Sequence, residues 1–169
     1  ALRLGGLAGP WGQVPVQWPA ELAAPFAGVS QPPLARISIH FENVTRPALR
    51  ALMASVMAPI FTGVFRQLAG FIERDVFESL RHEDYRARVQ AAPYPLLVMG
   101  GTADQIAPPS AQERLHALAA GPDKTLVLLG RAHGQAEDYG HGDLIVGTHA
   151  PAEVYPRVGE WLVRRATSV

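Results

Sequence analysis

Apolar residues fall at helical spacing in the middle of the chain and in short continuous runs near its end. Leu49, Leu52, Met53, Val56 and Met57 stand at i, i+3, i+4, i+7 and i+8, which is one face of a helix. Thr45 and Pro47 provide its start signal, with proline in the first turn. Ala58-Pro59 interrupts the pattern, and Val64, Phe65, Leu68, Phe71 and Ile72 then repeat it. The spacing therefore predicts two amphipathic helices forming an apolar hairpin. Ordinary core packing explains such a hairpin, and so does a lid over an acyl-binding pocket. On the lid reading, Met53, Met57, Phe61 and Phe65 line the substrate pocket.

After residue 90 the pattern changes. Residues 96–99 and 126–129 are short apolar runs, as expected for strands buried on both faces. Between them, Ser110-Ala-Gln-Glu113 has the spacing of a capping box and opens a helix through Leu115 and Leu118, which Gly121-Pro122 stops. Residues 130–148 read as a long loop. The last helix is expected to open at Pro151, with Val154, Tyr155, Val158 and Leu162 on one face. The first 35 residues are rich in Gly, Pro and Ala and read as irregular. Strand, helix, strand, loop, helix is the end of an α/β sheet. Two strands do not make a stable open sheet alone. The chain thus reads as one partial domain: 1–90 irregular plus helical cap, and 91–169 a C-terminal β/α core.

Composition narrows the function classes. Of 169 residues, 48% are apolar and 18% charged, which is globular rather than disordered. Fifteen basic and fifteen acidic residues cancel, so there is no electrostatic footprint for nucleic acid or anionic lipid. The absence of cysteine excludes disulfides, thiolate metal sites and a cysteine nucleophile. No apolar run is long enough to span a membrane. Glycine and proline break the apolar residues at the N-terminus, which argues against a signal peptide. The start at Ala1 fits processing or a fragment. A soluble chain is expected; its compartment stays open, with the cytoplasm favoured.

Two loops carry candidate chemistry. Asp104 lies in Gly100-Gly-Thr-Ala-Asp104, a few residues past the first apolar run. Ligands gather at the carboxyl ends of strands in open α/β sheets. A carboxylate there can orient an imidazole, and an Asp after Gly-Gly can equally cap a turn. His141 lies in Asp138-Tyr-Gly-His-Gly-Asp143, after the second run, where Gly140 and Gly142 let the loop carry the ring into a crowded site. His133 is the rival base. Asp143 is expected to hold the loop in shape, or to sit in solvent. His133, Glu137, Asp138, His141 and Asp143 also invite a metal reading, but their spacing lacks compact ligand geometry. No metal or organic cofactor is required.

An acid and then a histidine, each following a strand, is the order of an α/β-type serine hydrolase. The stretches Pro95-Leu-Leu-Val-Met-Gly-Gly-Thr-Ala-Asp104 and Asp138-Tyr-Gly-His-Gly-Asp-Leu-Ile-Val-Gly-Thr-His-Ala-Pro-Ala-Glu-Val-Tyr-Pro156 resemble the C-terminal region of the α/β-hydrolase superfamily, with a tail similar to that of acid-lipase-like esterases. The resemblance runs from about Asn43 to Leu162. It implies that Asp104 is the triad acid, that His141 is the base, and that residues 47–77 belong to a cap. The family's nucleophile elbow, Gly-x-Ser-x-Gly, does not occur in this sequence. The partner expected is therefore an N-terminal half carrying the serine and oxyanion hole, and the substrate a small carboxylic ester or lipid-like acyl compound. An acyltransferase, amidase or dehalogenase of the same fold, or a non-catalytic binding fragment, are the alternatives.

Overall fold

A computed structural model describes residues 12–29, 33–55 and 58–166. The N-terminal stretch, expected to be irregular, carries short elements: β1 (Gln13–Val14), α1 (Gln17–Ala23), a 3-10 turn at Ala24–Phe26, α2 (Pro33–Ser38) and a second turn at Phe41–Asn43. Their shortness hid them, since a helix of two turns shows no repeated apolar face. The expected helix follows as α3 (Arg46–Ser55). Thr45 Oγ1 accepts the Ala48 N–H at 3.3 Å, and Pro47 occupies the first turn. Leu49 is buried against Ala27 and Ile39, with Leu52 and Met53 packed alongside. Val56 and Met57 lie outside the described residues.

The second expected helix is α4 (Thr62–Arg74), entered from β2 (Ile60–Phe61), which pairs antiparallel with β1. Among the described residues, α3 and α4 do not pack as the predicted hairpin. α3 packs mainly on α1 and the Ala24–Phe26 turn. Val64, Leu68 and Ile72 of α4 face outward, Ile72 at 84% exposure. Helical spacing reveals which residues share a face and is silent on what that face meets. Phe71 instead meets Phe77 edge-on at 5.3 Å, and Phe77 meets Tyr85 of α5 (Tyr85–Ala91) at 5.1 Å.

The C-terminal part holds the parallel pair. β3 (Leu96–Gly101) and β4 (Lys124–Leu129) align from Leu96↔Lys124 to Gly101↔Leu129. The crossover helix α6 (Pro109–Leu118) packs on both strands. The capping box does not form. Pro109 has no N–H to satisfy and begins the helix, so Ser110 falls inside it. The chain is thus mixed α/β, with one parallel strand pair among the described residues.

β3 has a second edge, on the side away from β4. The Leu96 N–H donates to Asp123 C=O at 3.0 Å and the Thr102 N–H to Leu129 C=O at 2.9 Å. Alternation then directs the N–H and C=O groups of Leu97 and Met99 away from β4. Among the described residues no strand pairs with that edge.

The expected loop 130–148 contains a 3-10 turn (Arg131–His133) and α7 (Asp143–Val146). The last helix is two pieces, α8 (Ala150–Glu153) and α9 (Tyr155–Val163), because Pro156 removes a backbone donor at the junction. Val154 is buried, whereas Tyr155 and Leu162 are exposed. The end of α9 is tied to the start of β4: the Arg165 guanidinium lies over Trp161 at 4.0 Å and pairs with Asp123, Nε to Oδ2 at 2.6 Å. Among the described residues no helix is long and apolar enough to cross a membrane.

Candidate active site

Asp104 sits in the turn just past β3 with its side chain 1% exposed. Its Oδ1 accepts the N–H groups of Ile106 and Ala107, both at 2.8 Å. Its Oδ2 lies 2.9 Å from His141 Nδ1. The turn-capping and imidazole-orienting roles, alternatives in the sequence, are divided between the two oxygens. The backbone amides fix the carboxylate plane, and the plane fixes where Nδ1 is bound.

The loop carrying His141 is fastened on both sides of that residue. The Ala136 N–H donates to Glu153 at 2.9 Å, and the Tyr139 hydroxyl donates to the other oxygen of the same carboxylate at 2.7 Å. The Tyr139 C=O accepts the Ala103 N–H at 2.9 Å, which joins the histidine loop to the acid loop. The Gly140 N–H donates to Asp143 at 2.9 Å, and the Gly142 N–H to Ser38 C=O at 2.7 Å. The His141 side chain is itself half exposed, at 50%. With Nδ1 engaged by Asp104, Nε2 is the nitrogen left for exchange with a reactant.

The two loops meet at Gly101. A Cβ there would stand 1.9 Å from the Tyr139 carbonyl oxygen, which is backbone and cannot swing aside. Gly101→Ala should therefore cost about 3 kcal/mol by overpacking. For a protein of this size, thermal unfolding is expected to shift down by roughly 6–12 °C. An unchanged midpoint would mean that the loops are not in contact. Gly140 is confined in the same way, with a Cβ 2.7 Å from Asp143 Oδ1 and 2.9 Å from the His40 backbone nitrogen.

Asp143 is fully buried, so the solvent-exposed alternative is corrected. As the first residue of α7 it turns back under the loop. Its carboxylate accepts the Gly140 N–H, the His40 N–H at 3.2 Å and Asn43 Nδ2 at 3.1 Å. Asn43, Tyr139 and Glu153 were not distinguished by sequence reasoning. Asn43 is completely buried a hundred positions from Asp143, and no local pattern marks it. Its Oδ1 has no hydrogen-bond partner among the described residues. Such an orphan costs about 1–3 kcal/mol. Burial, reinforced by the neighbouring Glu153 carboxylate, raises the Tyr139 hydroxyl above its ordinary pKa.

Asp138 anchors the base of the same loop. Its carboxylate accepts the Thr102 hydroxyl at 2.7 Å and the Arg131 N–H at 3.0 Å. The Thr102 hydrogen bond leads in holding its pKa below the ordinary 3.8. A carboxylate depressed on folding adds stability above its unfolded pKa and loses it as pH falls through the folded value. Asp138→Asn should lower the melting temperature at pH 7, by an amount that shrinks as pH falls below 3.8 and through the folded-state pKa. A loss that stays constant as pH falls through that range would exclude a contribution from the charge.

Other sequence candidates are placed apart. His133 lies on the exposed Arg131–His133 turn. Among the described residues, no group of three His, Cys, Asp or Glu side chains could hold a metal ion. Of the expected pocket residues, Met53 packs against the Ala27, Ile39 and Leu49 cluster, while Phe61 is exposed and lines a groove with Val64, Phe71 and Leu80. Phe65 is half-buried on α4, and Met57 lies outside the described residues. A separate apolar groove of about 990 Å³ runs between α4, α5 and α6 to Ile106, two residues from Asp104. No protein-family model, no curated protein and no solved structure matches the chain.

Proposed function

We propose that residues 91–169 are the acid- and base-bearing part of an α/β-type serine hydrolase acting on carboxylic esters or lipid-like acyl substrates. The nucleophilic serine and the oxyanion donors come from outside residues 1–169, on a longer polypeptide or on a second chain. The observation that carries this reading is the hydrogen bond between a buried Asp104 and a half-exposed His141, each on a loop past a parallel strand. The edge of β3 that no described residue pairs with supports it, because unpaired strand groups call for a neighbouring strand.

The chemistry follows from the ring's two nitrogens. His141 Nδ1–H donates to Asp104, which leaves Nε2 with its lone pair. Nε2 takes the proton from the serine hydroxyl as Oγ attacks the substrate carbonyl carbon. The imidazolium formed is stabilised by Asp104, and Nε2 then gives its proton to the leaving alkoxide. Water, activated at the same Nε2, attacks the acyl-enzyme and releases the acid. Asp104 keeps its charge throughout. The apolar groove reaching Ile106 is of a size suited to an acyl chain.

Turnover of p-nitrophenyl esters of graded acyl length tests this reading. The native protein should hydrolyse them, and residues 1–169 alone should not. Hydrolysis by the isolated segment at the native rate would contradict the external serine.

A further inference from the structure

We propose that Asn43 is a positioning residue for His141, acting through Asp143. The inference rests on the reading of His141 as general base. Asn43 reaches both ends of α7, the short helix that begins two residues after His141. Its side-chain Nδ2 donates to Asp143 at the helix start at 3.1 Å. Its backbone C=O accepts the Thr148 N–H beyond the helix end at 2.7 Å. The backbone turns closely around it: a Cβ on Gly147 would stand 2.9 Å from Asn43 Nδ2. The Asn43 side chain thus ties the start of α7 and the loop leading into it, while its backbone ties the helix end.

Asp143 transmits that position to the histidine. Three hydrogen-bond partners hold its buried carboxylate: the backbone N–H groups of His40 and Gly140, and Asn43 Nδ2. All three donors are neutral. Only one is a side chain, so Asn43 is the position where sequence decides how the carboxylate sits. Gly140, held by that carboxylate, is bonded directly to His141. Packing alone does not account for an amide here. Asn43 is completely buried and leaves Oδ1 without a partner among the described residues, which is a destabilising arrangement. The Nδ2 donation gives the amide a purpose that an apolar residue of the same volume lacks.

Small displacements of a proton-transferring group are expensive in rate, on the order of 10²-fold for about 1 Å. Asn43→Ala should therefore lower kcat for ester turnover by about that factor with KM little changed. The companion readout is the Nδ1 proton of His141 in the nitrogen-15-labelled protein, followed by proton NMR at low temperature. In the native protein this proton should appear far downfield, as expected for an imidazole bonded to a carboxylate. In Asn43→Ala it should broaden or move upfield. Asn43→Leu, which fills the same space without a donor, should show the same two losses. A folded Asn43→Ala protein with native kcat and a native resonance would overturn the proposal. Where Asn43→Ala fails to fold, Asn43→Leu decides: both losses support the proposal, and both readouts native overturn it. The resonance needs no substrate. A native protein that shows the proton but turns over no ester refutes the hydrolase reading, while the NMR comparison still judges Asn43. A native protein with no such proton overturns both.

Discussion

His141→Ala should abolish ester turnover, lowering kcat by on the order of 10⁶ while the fold survives. The ring is half exposed, and its Nδ1 contact is the bond to Asp104. The loop is held by its neighbours Tyr139, Gly140 and Gly142, so its path does not depend on the imidazole. On the proposed reading, removing the ring leaves the serine hydroxyl with no acceptor for its proton, and the leaving alkoxide with no donor. The loss should appear in kcat and spare KM, since the base interacts with the reaction rather than with bound substrate. Groups that act as one unit are not additive. Adding Asp104→Asn to His141→Ala should therefore cost little more. Steady-state kinetics on the single and double variants, with circular dichroism to verify folding, decides it. A loss below about tenfold would remove His141 from the proton path.

Asp104→Asn should cost about 10⁴ in kcat, and the reason lies in the division of labour between its oxygens. Oδ1 caps the Ile106 and Ala107 N–H groups, so an asparagine keeps its own oxygen there. Its amide nitrogen is then directed at His141 Nδ1, where Oδ2 now accepts. Two donors cannot share that contact. The imidazole shifts its proton to Nε2, and Nε2 can no longer accept from serine. The backbone capping survives, so thermal stability should fall far less than rate. Asp104→Ala, by contrast, strips both capped amides and confounds the two effects. Equal losses in stability and rate for Asp104→Asn would mean that the carboxylate serves the turn alone.

The parts of this architecture legible in sequence are those specified locally. The runs at 96–99 and 126–129 lie within β3 and β4, because a continuous apolar run with a helical segment between leaves few other arrangements. Asp104 and His141 are separated by 37 positions and meet because each follows one of two adjacent parallel strands. What sequence could not reveal depends on distant partners. Asn43 and Asp143 meet across a hundred positions of sequence, and Asn43 carries no local signature. The face of α4 was readable and its exposure was not, since periodicity reports an apolar stripe and not its neighbour. Proline chemistry explains two boundary differences: Pro109 starts α6 early, and Pro156 divides the last helix. Asp143 was expected to be loop-bound, and it is the fully buried first residue of a helix only four residues long.

The proposed serine partner of Asp104 and His141 lies outside residues 1–169. The most direct test treats the purified native protein with a fluorophosphonate probe and locates the label by peptide mapping. One labelled serine is expected, in a Gly-x-Ser-x-Gly turn outside these residues, with labelling lost in His141→Ala. No label in a folded native protein, or label on a serine within residues 1–169, would contradict it.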